Sequence, residues 1–203
     1  MEHLAELLER ALHPGRIRLS ALPALDLYMD QIISLLEGGY ASNRRNPEEK
    51  LLTKTMINNY RKEGLIGPIK GKKYTREHLV QMLSIYELKN TLTLGEIRQV
   101  FSRLYAQENF DGAQLGECYE RSLDLAEQQS AALGALLDAA VTASGAKSGD
   151  PRDLFVALSA IASMSQLLQT AAERMVDAYF PPPESVKPTK RGDRRAAPPH
   201  KNV

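Results

Sequence analysis

Tryptophan is absent, cysteine occurs once, and aromatic residues make up only 6% of the 203 positions. With Cys118 as its one thiol the chain cannot close an internal disulfide, which points to a reducing, cytoplasmic setting and to a buried, inert thiol. Few β-branched clusters beside abundant leucine and alanine argue for an all-α fold. The four histidines (His3, His13, His78, His200) are scattered, so no His/Cys spacing of a metal site exists. A phosphate-cradling glycine loop and a nucleophile elbow are also missing. The start, Met1-Glu2-His3-Leu4, lacks the basic and apolar regions of a signal peptide. No apolar run approaches the roughly 20 residues that span a bilayer. Enzymatic, metal, cofactor and membrane readings thus lose their usual carriers, and a non-enzymatic protein is expected.

What is present is a charge asymmetry hidden by a net charge of +1. Residues 44–78 carry ten Lys/Arg against four Asp/Glu, and residues 181–203 carry six against two. The rest of the chain is therefore acidic. A basic block on an acidic body suggests a local polyanion-binding surface, although a solvated basic face with no partner has the same composition.

Helical periodicity and capping signals order the chain. Leu4, Leu7, Leu8 and Leu12 mark a first helix over residues 2–12, closed by His13-Pro14-Gly15. A second is predicted over 24–37, with Leu25, Met29, Ile32, Ile33 and Leu36 inward and Gly38-Gly39 as its stop. Asn46-Pro47-Glu48-Glu49 reads as a helix start, with Thr53 as the alternative cap, and Gly64 as the left-handed end. After the cationic loop 67–74, Thr75 and Thr93 cap helices running to about Lys89 and Tyr105. Two long helices, 111–143 and 150–179, are joined by a small-residue turn and predict an antiparallel hairpin. Methionines 29, 56, 82, 164 and 175 fall at core-like spacings. The expected organisation is a first domain over 1–107, the hairpin over 111–180, and a disordered basic, Pro-rich tail over 181–203.

The most specific stretch is Thr53 to Phe101. Thr53 stands before Met56-Ile57-Asn58-Asn59-Tyr60-Arg61, followed by Gly64-Leu65-Ile66-Gly67-Pro68, then Lys72-Lys73-Tyr74, then Thr91-Leu92-Thr93-Leu94-Gly95-Glu96-Ile97. This series resembles the MerR family of bacterial transcription regulators, whose winged helix-turn-helix has a capped recognition helix, a Gly-Leu-Leu-x-Pro exit and a basic wing. Together with Asp26-Leu27-Tyr28-Met29-Asp30-Gln31, it looks like the branch known as the domain of unknown function numbered eighteen thirty-six. Asn58 stands where the family has arginine, and the wing is shorter and uses lysine.

The resemblance implies double-stranded DNA as the partner, and the residue types fit that independently. Asparagine pairs bidentately with adenine, and Lys or Arg reach guanine or phosphate. Candidate contacts are Lys54, Thr55, Asn58, Asn59, Arg61 and Lys62 on the recognition helix, Lys70, Lys72 and Lys73 on the wing, and Arg44 and Arg45 before the helix. Tyr60 and Tyr74 read as packing residues, and His78 as surface or core. The hairpin, apolar on more than one face, is expected to form a homodimer and to leave room for an unidentified small-molecule effector. A helical protein–protein adaptor without operator binding is the alternative.

Overall fold

The computed structural model describes residues 2–182, so the tail expected beyond Pro182 lies outside the described residues. Of these, 70% are helical, and the sole sheet among them has two strands of two residues each. At Thr75, Thr93, Asp111 and Asp150 the helices start as read. Helix α1 spans Glu2–Leu12 and α4 spans Arg76–Leu88. At the start of α4 the Thr75 N–H donates to Nδ1 of His78 (3.0 Å), which gives this buried histidine a structural task. Helix α5, Leu94–Tyr105, opens on a reciprocal pair: Glu96 N–H donates to Thr93 Oγ1 (3.2 Å) and Thr93 N–H to Glu96 Oε2 (2.7 Å). Asp111 caps α6, Gly112–Ser144, and Asp150 with Pro151 opens α7, Pro151–Tyr179.

Three boundaries differ from expectation, each for a tertiary reason. Helix α2 runs Met29–Gly39 rather than from residue 24, because Leu27–Tyr28 forms strand β1. It pairs antiparallel with β2, Lys73–Tyr74, in the register Leu27↔Tyr74 and Tyr28↔Lys73. Leu25, expected inward, is 79% exposed. Gly38 and Gly39 end α2 from inside it. A Cβ on Gly39 would collide with the buried side chain of Ile17, so this glycine permits close packing there. Helix α3 is Lys54–Lys62, capped by Thr53, whose hydroxyl accepts from Met56 N–H (3.2 Å). The Asn46-Pro47 start is not used. Leu51 and Leu52 are consecutive and both buried, which favours an extended path over a helix with one inward face.

Most of the core lies before residue 106. Ile32 and Leu36 of α2, with Tyr40 just past its end, meet Ile57 and Tyr60 of α3, the apolar residues of the run Leu79–Ile85 of α4, and Ile97 and Phe101 of α5. Met82 joins them, whereas Met175 is exposed and departs from the core expectation. Leu115, Tyr119 and Leu123 from the first half of α6, and Val176 near the end of α7, complete this cluster. A second small cluster, Val141, Ala146 and Ala157, sits at the other end of the two long helices. The start of α6 thus lies near the end of α7, so the pair is the expected antiparallel hairpin. Leu4 and Leu8 of α1 pack on the second cluster, so part of α6 is covered from within the chain.

The root of α6 is fastened to the body. Arg18 reaches Glu120 (2.8 Å), Asp124 (2.6 Å) and Glu127 (2.7 Å), one turn apart along α6. The hydrogen bonds that its guanidinium donates to these carboxylates raise the Arg18 pKa further. Tyr119 Oη donates to the carbonyl of Ile17 (2.8 Å) and lies 3.4 Å from Tyr40 Oη. Burial pushes the Tyr119 hydroxyl up to about 12.

The membrane expectation needs a correction. Helix α7 is long and apolar enough to cross a bilayer by length and composition, with a mean hydropathy of 1.4 over 18 residues, only 6% of them buried. Serines and glutamines interrupt its apolar runs, yet between Leu154 and Ala172 it carries no charge. Cys118, expected to be buried, is exposed on α6.

Candidate nucleic-acid interface

Helix α3 divides cleanly into two sides. Ile57 and Tyr60 are buried and Met56 half-buried, whereas Lys54, Thr55, Asn58, Asn59, Arg61 and Lys62 are all exposed. At 3.6 residues per turn the six exposed positions fall within about 160° of arc. The helix ends in a Schellman arrangement. Gly64, at φ 71°, donates to the carbonyl of Arg61 (3.1 Å), and Leu65 N–H donates to that of Tyr60 (2.8 Å). Leu65 and Ile66 then bury themselves, so the following loop leaves the core at a fixed point.

That loop carries Lys70, Lys72 and Lys73 in the open, with Gly71 at φ 73° between the first two. Tyr74 anchors its end, almost wholly buried, as a packing residue. The loop does not form a hairpin of its own. Its strand β2 pairs instead with β1 at the entrance to α2.

The helix and the loop converge on one short stretch of the body. Lys54 Nζ lies 2.7 Å from Asp30 Oδ1, and Lys73 Nζ stands 5.3 Å from the centre of the Tyr28 ring. Residues 28 and 30 are two apart at the start of α2, so the first turn of α3 and the end of the loop share one face of the molecule. On the exposed side of α3 no acidic residue stands. Glu63, just past its end, is paired with Arg98 (3.2 Å).

Arg44 has another role. Its guanidinium pairs with Glu37 and donates to the Glu37 carbonyl (3.3 Å), and it is half-buried. Glu37 also accepts from Leu52 N–H (2.9 Å), so one carboxylate ties α2 to the segment leading into α3. Partial burial opposes its ionisation, but the Leu52 N–H and the Arg44 guanidinium outweigh this and hold the carboxyl below its usual range. Arg45 is exposed, and its backbone N–H donates to Glu49 (2.7 Å).

Sequence reasoning therefore found the basic side chains but missed Tyr28, Asp30 and Glu37, which organise them. Ion pairs made across tertiary structure leave no spacing to read. A cleft of about 770 Å³ lies between α4 and the start of α6, walled by Leu19, Val80, Ala113 and Gly116 and rimmed by Arg76, Glu77 and Arg121. Among the described residues no three His, Cys, Asp or Glu side chains gather to hold a metal ion.

A family profile described as "Domain of unknown function (DUF1836)" matches residues 17–122, just over half of the chain. Those bounds take in the whole basic face and the root of α6. No curated protein and no solved structure matches the chain.

Proposed function

The chain belongs to the DUF1836 family, and we propose that it is a cytoplasmic, non-enzymatic transcriptional regulator that binds double-stranded DNA as a homodimer. In this reading α3 enters the major groove in the manner of a MerR-like recognition helix, and the 67–73 loop grips the adjacent backbone as a wing. The observation that carries it is the convergence of Lys54 and Lys73 on Tyr28 and Asp30, which makes one surface of two basic segments. Asn58 and Asn59 suit adenine edges, and Arg61, Lys62, Lys70 and Lys72 suit guanine or phosphate. Arg45 can add a phosphate contact, whereas Arg44 serves by holding the approach to α3 in place.

Selection of bound fragments from genomic DNA by the purified full chain tests this. Enrichment of a shared sequence is expected, with affinity falling by about 0.9 in log–log slope per neutralised phosphate as salt rises. Absence of binding to any fragment at low salt would favour the second reading, a protein–protein adaptor. That reading draws on the exposed apolar surface of α7.

A further inference from the structure

The last turn of α4 brings opposite charges to one polar cleft. A cavity of about 310 Å³ opens between this turn, the segment leading into α3 and the loop after α1, with Asn43, Glu49, Leu51, Tyr86, Glu87 and Lys89 in its wall. Its frame is stiff. Tyr86 stacks on the buried Tyr40, with ring centres 3.8 Å apart. The Asn43 amide donates to the Gly15 carbonyl (2.9 Å), and its oxygen accepts from the Gly15 N–H (2.6 Å). Within this frame two charges are held without ionic partners. Glu87 Oε1 accepts from the Tyr40 hydroxyl (3.3 Å). Lys89 Nζ donates to the Leu51 carbonyl (3.0 Å) and stands 4.7 Å from the centre of the Tyr86 ring. Among the described residues neither has an opposite charge within 4.0 Å. Two positions apart on a helix, they do not face each other. Burial pushes the Glu87 carboxyl up, with Arg16 and the Tyr40 hydroxyl offsetting part of the rise. It pushes the Lys89 ammonium down, against the pull of Glu49 and Glu37. Each charge is therefore less stable than it would be beside a partner.

We propose that this cleft is a binding site for a free amino acid, whose ammonium group Glu87 takes and whose carboxylate Lys89 takes. The binding does not depend on the DNA reading above; its consequence for α3 does.

Charge balance and size select this ligand. The charged residues around the cavity are Glu49, Lys50, Glu87 and Lys89, which sum to zero. A simple anion or cation would leave a net charge in the cleft, whereas a zwitterion leaves none. The volume sits at the small end of the roughly 300–1,000 Å³ of ligand pockets, which suits one small metabolite. The site also touches the approach to α3. Leu51, whose carbonyl Lys89 holds, precedes Leu52, whose N–H donates to Glu37, and Thr53, which caps the helix. A bound carboxylate competes with the Leu51 carbonyl for the Lys89 ammonium. Occupancy thus reaches the base of the proposed recognition helix.

Calorimetric titration of the full chain with the standard amino acids, β-alanine and γ-aminobutyrate, in the absence of DNA, decides it. At least one should bind saturably, at one site per chain. Its N-acetyl and amide derivatives should each bind roughly tenfold more weakly or worse, the loss expected for a missing charge-assisted hydrogen bond. Glu87→Gln and Lys89→Gln can keep the bonds to Tyr40 and Leu51 while losing the charges, and each should lower the affinity to a similar degree, with unchanged helical circular dichroism. N-acetylation should then cost Glu87→Gln nothing further, and amidation should cost Lys89→Gln nothing further. Absence of binding by every compound, wild-type binding indifferent to both blocked ends, or unchanged affinity in both glutamine variants would each overturn the site. Binding as described, by a chain that enriches no genomic fragment, supports the site while overturning the regulator reading.

Discussion

The body formed by residues 17–105 and the hairpin formed by α6 and α7 use the same apolar residues in opposite ways. Of the eleven largest fully buried side chains, ten lie in the body, and Leu123 is the exception. Of the fourteen large apolar side chains that stand exposed among the described residues, eleven lie on the hairpin. The body encloses a core of its own and turns basic side chains outward. The hairpin shares the body's core at its root, closes a three-residue cluster at its tip, and leaves its length open. Enclosed core and open apolar surface thus belong to different stretches of the chain, and substitutions should separate them.

The largest contrast is expected between two leucines. Leu83→Ala, at a fully buried position, should cost about 2–5 kcal/mol in denaturant titrations. Leu167→Ala, at a site 70% exposed, should cost less than about 0.5 kcal/mol. Equal losses would break the distinction between a closed body and an open hairpin. Next in size, Lys72→Ala with Lys73→Ala should weaken DNA binding to all sequences and flatten the salt slope by roughly one unit per lost phosphate contact. Fluorescence anisotropy across a salt series checks this, and an unchanged slope would remove the loop from the interface.

Acid sharpens the comparison further, because two carboxyls of the body should respond with opposite signs. Glu37 is held below its ordinary value of 4.5, so its contribution is present above that value and lost as the pH falls through the lower folded value. Burial pushes Glu87 up, so its charged form costs stability that is recovered on acidification. Denaturation midpoints from pH 3 to 7 (roughly, the carboxylate range) should fall less steeply in Glu37→Gln and more steeply in Glu87→Gln. Identical profiles for all three proteins would show that neither environment matters. The smallest effect is predicted for Asp30→Asn. It frees Lys54 from an exposed pair and should tighten DNA binding roughly twofold, as expected of a surface ion pair. Weaker binding would mean that Asp30 orients Lys54 and does not compete for it.

How legible the chain was depended on whether a signal was local. Helices α4 to α7 could be placed because Thr75, Thr93, Asp111 and Asp150 mark their starts within three residues. The exposed side of α3 was equally legible, since Ile57 and Tyr60 fix which side is inward. The start of α2 was not, because Leu27 and Tyr28 become a strand only by pairing with Tyr74 and Lys73, 45 to 47 positions later. Arg44 looked like a free cation for the same reason: its partner Glu37 is set by the fold, not by helical spacing. Along α7, leucines at core spacing were read as a face, and among the described residues most of its large apolar side chains stand exposed.

The fastening of Arg18 to Glu120, Asp124 and Glu127 has a mechanical consequence. With its root bolted to the body, α6 is a stiff arm on it. In the homodimer proposed above, were the copies to join through the hairpin, the span between their α3 helices would be set by where along it they meet. A shift of that contact by seven residues would change the span by about 10 Å, roughly the rise of three base pairs of DNA.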